Sequence, residues 1–141
     1  MARIDYYTQT TINPEYFSDF LSSFDKSPLS NDLARLVDAG AVKQSVRNLI
    51  LTNLGERLFQ PNIGSTVYRS LFEPFSGFTA DDIKQAILNT LKQNEKRVDS
   101  SNINVHVISN DDQNAFTVNV LFFIINNPAP ISIQLVLQRV R

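Results

Sequence analysis

The chain has 141 residues, 43% of them hydrophobic and 19% charged, with a formal net charge of -1. That length suits one domain with a modest core, and the near-neutral balance supplies no overall field to draw the chain to nucleic acid or to an acidic membrane. Cysteine is absent, which excludes disulfides, thiolate metal sites and cysteine nucleophiles.

The opening MARIDYYTQT contains no apolar run of signal-peptide length. No segment approaches the ~20 apolar residues needed to span a bilayer. The expectation is a protein made in the cytoplasm and used there, or in a particle assembled there. Residues 1–40 read as an irregular arm with aromatics at Tyr6, Tyr7, Tyr16, Phe17, Phe20 and Phe24, interrupted by Pro14 and Pro28. Tyr16, Phe17, Phe20 and Phe24 fit one face of a short helix. So much aromatic surface predicts an arm that packs on its own domain or docks on a neighbouring subunit.

From Val42 to Thr52 the apolar positions Val42, Val46, Leu49 and Ile50 form one helical stripe, with Lys43, Gln44, Arg47 and Asn48 on the wet side. Gly55 is the predicted stop. Gly64-Ser65 opens a short helix with Ser65 as N-cap and Val67, Tyr68, Leu71 and Phe72 as its inner face, ending at Pro74. Thr79-Ala-Asp-Asp82 resembles a capping box for a longer helix, whose inner stripe is Ile83, Ile87, Leu88 and Leu91 and which runs to about Asn94. Asp81 and Asp82 suit its N-terminal dipole and Lys92 its C-terminal end.

After Arg97 the period changes to two. Ile103, Val105 and Val107 alternate with Asn104 and His106. A turn at 110–114 leads into Phe116, Val118, Val120, Phe122 and Ile124 on one strand face, with Leu121, Phe123 and Ile125 predicting cover on the other face as well. A second turn is expected at 126–130. The last strand then places Ile131, Ile133, Leu135 and Leu137 on one face. The fold expected is α+β: N-terminal helices packed on a small antiparallel sheet of three to four strands. The division predicted is a single domain over 1–141, with an arm (1–40), a helical part (41–98) and strands (99–141). A strand near the end of a chain, placed at a sheet edge, has unpaired backbone groups that accept a strand from another chain. Covering, or protection by Arg139 and Arg141, is the alternative.

Stretch 41–75 carries a long ordered signature: Lys43, Gln44, Ser45, Asn48, Leu49, Ile50, Leu51, Thr52, Gly55, Glu56, Arg57, Pro61, Ile63, Gly64, Ser65, Leu71, Phe72, Glu73 and Pro74. This resembles the baseplate wedge proteins of contractile-tailed phages. The resemblance covers about residues 33–107, more weakly the last strand. It implies a sheath-handshake-like fold and a non-enzymatic structural subunit in the inner baseplate of a virion tail, present in several copies in a ring. The implied partners are other wedge proteins and the tail sheath protein, with no cofactor, no nucleic acid and no membrane. The implied role is to start sheath assembly by strand exchange, offering residues 131–140 (Ile131, Ile133, Leu135, Leu137 and Arg139 among them) and possibly 33–37. The family's Glu-Pro-Arg motif after the long helix reads here Glu95-Lys96-Arg97-Val98, so the Pro-imposed turn geometry is replaced. Glu95 and Arg97 are expected to keep a packing role at the helix-to-strand corner. Gly55, Glu56, Arg57, Glu73 and Pro74 complete the structural motif. A host-encoded injection device built from the same part fits the sequence equally.

A lysozyme activity has also been attached to this family, which makes peptidoglycan hydrolysis the competing function. It needs two carboxyl groups about 5–9.5 Å apart, one with a raised pKa. Glu56, Glu73 and Glu95 are the candidates, with Glu56 and Glu73 the pair that the intervening turn would bring together. Glu56 and Glu95 are followed by cations (Arg57; Lys96 and Arg97), which favour the ionised form, the wrong direction for a general acid. There is no Trp for a saccharide platform. His106, the single histidine, falls on the outer face of a strand. One histidine without cysteine makes a zinc site unexpected. Gly40, Gly55, Gly64 and Gly77 form no phosphate loop. Lys92, Lys96, Arg97, Arg139 and Arg141 would form a basic cluster if the last strand lay beside the end of the long helix, but without the interleaved aromatics that nucleic-acid binding uses.

Overall fold

The computed structural model describes residues 16–28, 31–74, 76–110, 114–125 and 127–138. The turn at 110–114, residues 1–15 and 29–30 of the N-terminal arm (Tyr6, Tyr7 and Pro14 included) and Arg139 to Arg141 fall partly or wholly outside them. Strands β1 (Ser18–Phe20) and β2 (Arg35–Val37) pair antiparallel ahead of the helices. Helices α1 (Ala39–Leu51), α2 (Val67–Ser70) and α3 (Gly77–Asn94) follow. Strands β3 (Asn104–Asn110), β4 (Ala115–Ile124) and β5 (Asn127–Gln138) then form an antiparallel meander in the order β3-β4-β5. The class is α+β.

One core runs between the helices and the inner face of this sheet. Val42, Val46 and Ile50 of α1, Val67 next to Leu71, and Ile83, Ile87 and Leu91 of α3 meet Val105, Phe116, Val118, Val120, Phe122, Leu135 and Leu137. The registers Val105↔Val120, Val107↔Val118 and Val118↔Leu135 put these side chains in cross-strand rows. α3 packs on β3, and α1 packs on β5.

The first departure from expectation is at Tyr16–Phe24, where a strand and turn stand in place of a helix. Asp38 Oδ1 accepts the backbone N–H groups of Tyr16 and Phe17 at 2.9 and 3.1 Å. Gln44 receives Ser22 N–H at 3.0 Å and donates to the Phe20 carbonyl at 2.7 Å. These tertiary bonds override the local aromatic spacing. Ser65 is not a helix cap: it is buried, donates to the Ile50 carbonyl at 2.6 Å, and so closes the end of α1. Val67 and Leu71 are inner residues as expected, whereas Tyr68 and Phe72 are half-exposed and stack edge-to-face on each other. The N-cap of α3 is Ser76, whose Oγ accepts Thr79 N–H at 3.3 Å. Thr79 instead donates to the Pro74 carbonyl, and Asp81 and Asp82 lie past the first turn.

The expected turn at 126–130 is shorter than predicted, because β5 already starts at Asn127. Its Pro128 and Pro130 are tolerated because β5 lies at an edge and the register shifts beside Phe122/Ile124. Finally, among the described residues no helix covers the second face of β4, where Phe123 is partly buried. Leu121 and Ile125 are exposed, since all three helices pack on one face.

Candidate functional site

Two features stand out: a tied corner at Glu95–Arg97 and an open edge at β5. The corner is built where α3 ends. Arg97 Nε and Nη2 each donate to Glu95 at 2.7 Å, a two-point pairing. Ser45 Oγ of α1 donates to the same carboxylate at 2.6 Å. The Arg97 guanidinium also lies over the Phe17 ring, 5.6 Å from its centroid. The Arg97 carbonyl accepts Ile125 N–H at 2.9 Å, while Asp99 N–H reaches the Phe123 carbonyl at 2.9 Å. One residue pair therefore joins α1, α3, the N-terminal segment and the end of β4.

Burial alone would push the Glu95 carboxyl up; the hydrogen bonds from Arg97 and Ser45 and the Arg97 charge outweigh it and hold it below the usual carboxylate range. Its bond to Glu95 raises Arg97 in turn, against the effect of burial. A cleft of about 430 Å³ borders the pair, with Asp19, Asn48, Arg57 and Ile63 along its wall. A carboxylate that is clamped and depressed in this way is unsuited to proton donation.

The other signature residues hold turns. Gly55 has φ 86° and donates to the Pro61 carbonyl at 2.8 Å. Glu56 Oε2 accepts Asn53 N–H at 2.8 Å. Arg57, Glu73 and Pro74 are exposed. Gly64, at φ 147°, passes so close to Thr52 and Asn53 that a Cβ would stand 2.8 Å from their backbone atoms. Leu58 and Phe59, between these turns, are 91% and 97% exposed. Sequence reasoning missed the partnership of Ser45 with Glu95 and the anchoring by Asp38. Ser45 was already among the signature residues, and a polar residue flanking an inner helical stripe is the signal that could have found it.

At the other end of the sheet, β5 pairs with β4 alone among the described residues. Ile131, Leu135 and Leu137 point into the core and Ile133 is partly buried against it, so what the strand offers outward is its backbone edge. Ser132, Gln134 and Val136 occupy the uncovered face, with Val136 62% exposed. Arg139 lies outside the described residues. Residues 33–37 are engaged on one side: Leu33 bridges Lys26 and Arg35–Val37 pairs with β1. Between residues 103 and 138 the sequence has no Lys, Arg or Glu, and its sole Asp residues are Asp111 and Asp112, which lie between β3 and β4 in the sequence. Edge strands are ordinarily guarded by such charges, by proline or by bulges; here Pro128 and Pro130 stand at the start of β5, and its described stretch from Ile131 to Gln138 carries neither proline nor charge. His106 is exposed on the uncovered face, as expected. Among the described residues no cluster of His, Asp and Glu could hold a metal, and no helix is long and apolar enough to cross a membrane.

The family model for baseplate wedge protein gp25 matches residues 37–129. The chain belongs to the gp25 baseplate wedge family. Baseplate wedge protein gp25 of Enterobacteria phage T4 is 30% identical over 103 residues, which span 73% of this chain and 76% of the T4 protein. Two solved structures share the fold. A Geobacter sulfurreducens protein provisionally named a tail lysozyme aligns with TM-score 0.62 at 15% identity, covering 70% of this chain and 88% of its own. A chain of the six-fold symmetrised anti-feeding prophage baseplate aligns with TM-score 0.60 at 17% identity, covering 86% of this chain and 84% of its own. The wedge subunit described here is thus a structural part of a tail baseplate.

Proposed function

We propose that this wedge subunit is non-enzymatic and starts sheath assembly by lending the free edge of β5 to a strand of a sheath subunit. The observation that carries the proposal is a strand that, among the described residues, pairs on one side only and carries no charge from Ile131 to Gln138. Along residues 131–138, about four positions direct an N–H and a C=O outward, as alternation in an antiparallel ladder requires. Each net hydrogen bond contributes about 1 kcal/mol, so the ladder offsets part of the cost of association and apolar side-chain contacts supply the rest. The Glu95–Arg97 corner supports this role by fixing α1 and the end of β4, the two elements that hold β5 in place. Family membership and the likeness to a six-fold baseplate favour use in several copies around a ring.

Hydrolase chemistry fits the same residues poorly. Glu95 is depressed and clamped, and Glu56 is occupied by a backbone N–H. The purified protein is expected to leave a peptidoglycan suspension turbid.

Deleting β5 would remove three core side chains (Ile131, Leu135 and Leu137) and is a poor test. A photoreactive benzoylphenylalanine at exposed Val136, with Lys92 on α3 as control position, probes the edge without touching the core. Illumination of assembled tails should join Val136 to an extended segment of sheath and leave Lys92 unjoined. Adducts from Val136 to no sheath peptide would overturn the assignment.

A further inference from the structure

Helix α1 carries two charged side chains, Lys43 and Arg47, and no acid. Both are exposed, and among the described residues neither has an ion-pair partner. They are four residues apart, one above the other on the same flank. Which way that flank faces follows from its neighbours. Val42, Val46 and Ile50 point at the sheet. Ser45 reaches sideways to Glu95 at the end of α3. Gln44 reaches away from the sheet to β1. With about 100° per residue, Lys43 and Arg47 lie on the flank opposite Ser45, turned away from α3. Since α3 packs on β3 and α1 packs on β5 at the other side of the sheet, that opposite flank is turned toward the side of β5 that has no partner strand among the described residues.

We infer that the free edge of β5 and the Lys43–Arg47 flank of α1 form one composite groove for an extended protein segment carrying acidic residues at alternate positions. An added strand would run ~4.8 Å beyond β5, with every second side chain turned toward α1. Side chains at i and i+2 of a strand are about 6.7 Å apart, close to the ~5–6 Å between helix positions four apart. Two carboxylates so spaced can meet both cations. A second copy of this chain is a poor occupant. Symmetric β5–β5 pairing would bring the two cationic flanks to the same seam, and β5 itself offers no carboxylate.

This inference rests on the strand-pairing reading above, and its test separates the two. The probe is the cognate sheath subunit, with benzoylphenylalanine at Val136 of the full-length wedge protein, in wild type, in the Lys43→Glu/Arg47→Glu double variant and in a Lys92→Glu control. Both reversed positions are exposed, so melting temperature should not change. Wild-type and Lys92→Glu proteins should give the adduct, its yield falling as salt rises. The double reversal should lower the yield roughly tenfold or more, since like charges at a docking seam are strongly disfavoured. The joined sheath peptide should carry Asp or Glu at alternate positions. An unchanged yield in the double variant, or a joined peptide without alternating acids, overturns the acidic-strand inference and leaves strand pairing standing. An adduct to a second copy of the wedge protein overturns the choice of occupant. No adduct even from wild type removes strand pairing, and this inference with it.

Discussion

Replacing Arg97 by alanine removes the cation from a carboxylate that is 5% exposed. Two charge-assisted bonds of 2.7 Å are lost, leaving Ser45 as the remaining side-chain partner of Glu95. Breaking a buried pair typically costs about 3–5 kcal/mol. The Arg97 side chain is 29% exposed, so solvent can replace part of its effect and the lower end, about 3 kcal/mol, is expected. For a chain of this length that corresponds to a fall of roughly 10 °C in Tm. The pH dependence is more diagnostic. In the wild type the Glu95 carboxyl is held below its ordinary value, so its stabilisation is full above the unfolded-state pKa of roughly 4.3 and is lost as pH falls through the folded one. In Arg97→Ala, burial acts without the cation and raises the carboxyl. The variant then takes up a proton on folding, and its deficit shrinks as pH drops from neutral toward about pH 5. Urea titrations of both proteins at neutral and mildly acid pH measure this. A deficit below about 1 kcal/mol at neutral pH, or one that stays constant into acid, would refute the reasoning.

Two paired comparisons test the turns and the core. Gly64→Ala forces a Cβ to 2.8 Å from the Thr52 and Asn53 backbone and should cost at least ~2 kcal/mol. Gly55→Ala meets open space at φ 86° and should cost ~1 kcal/mol in urea titration, from backbone strain alone. Phe122→Ala empties a fully buried position and should cost about 3–5 kcal/mol. Phe59→Ser, at a side chain 97% exposed, should stay within about 0.5 kcal/mol of wild type in the same titration.

What could be read from the sequence was whatever periodicity controls. Ile83, Ile87 and Leu91 recur at helical spacing, and Phe116, Val118, Val120 and Phe122 alternate; all are buried where that spacing places them. The failures share a cause: a distant partner outweighs a local pattern. Phe20 and Phe24 have helical spacing, but Asp38 and Gln44 draw this segment into a strand and turn. Ser65 has the chemistry of a cap and is spent on the Ile50 carbonyl. Leu121 and Ile125 gave the expectation of a sheet covered on both faces, because a strand of apolar residues looks alike whether its second cover is a helix of its own chain or another molecule. At the candidate site, Glu95 and Arg97 were legible through the family motif. Their bond to α1 through Ser45 was not, since the residues are 50 positions apart. The edge position of β5 depends on which strand is central, which local patterns do not encode.

The most direct measurement is a density map of the assembled tail base at a resolution that separates strands. A strand from a sheath subunit is expected ~4.8 Å from the outer side of residues 131–138, antiparallel or parallel, with ladder hydrogen bonds to β5. A map in which that side faces solvent, or is closed by this chain's own residues, would contradict it.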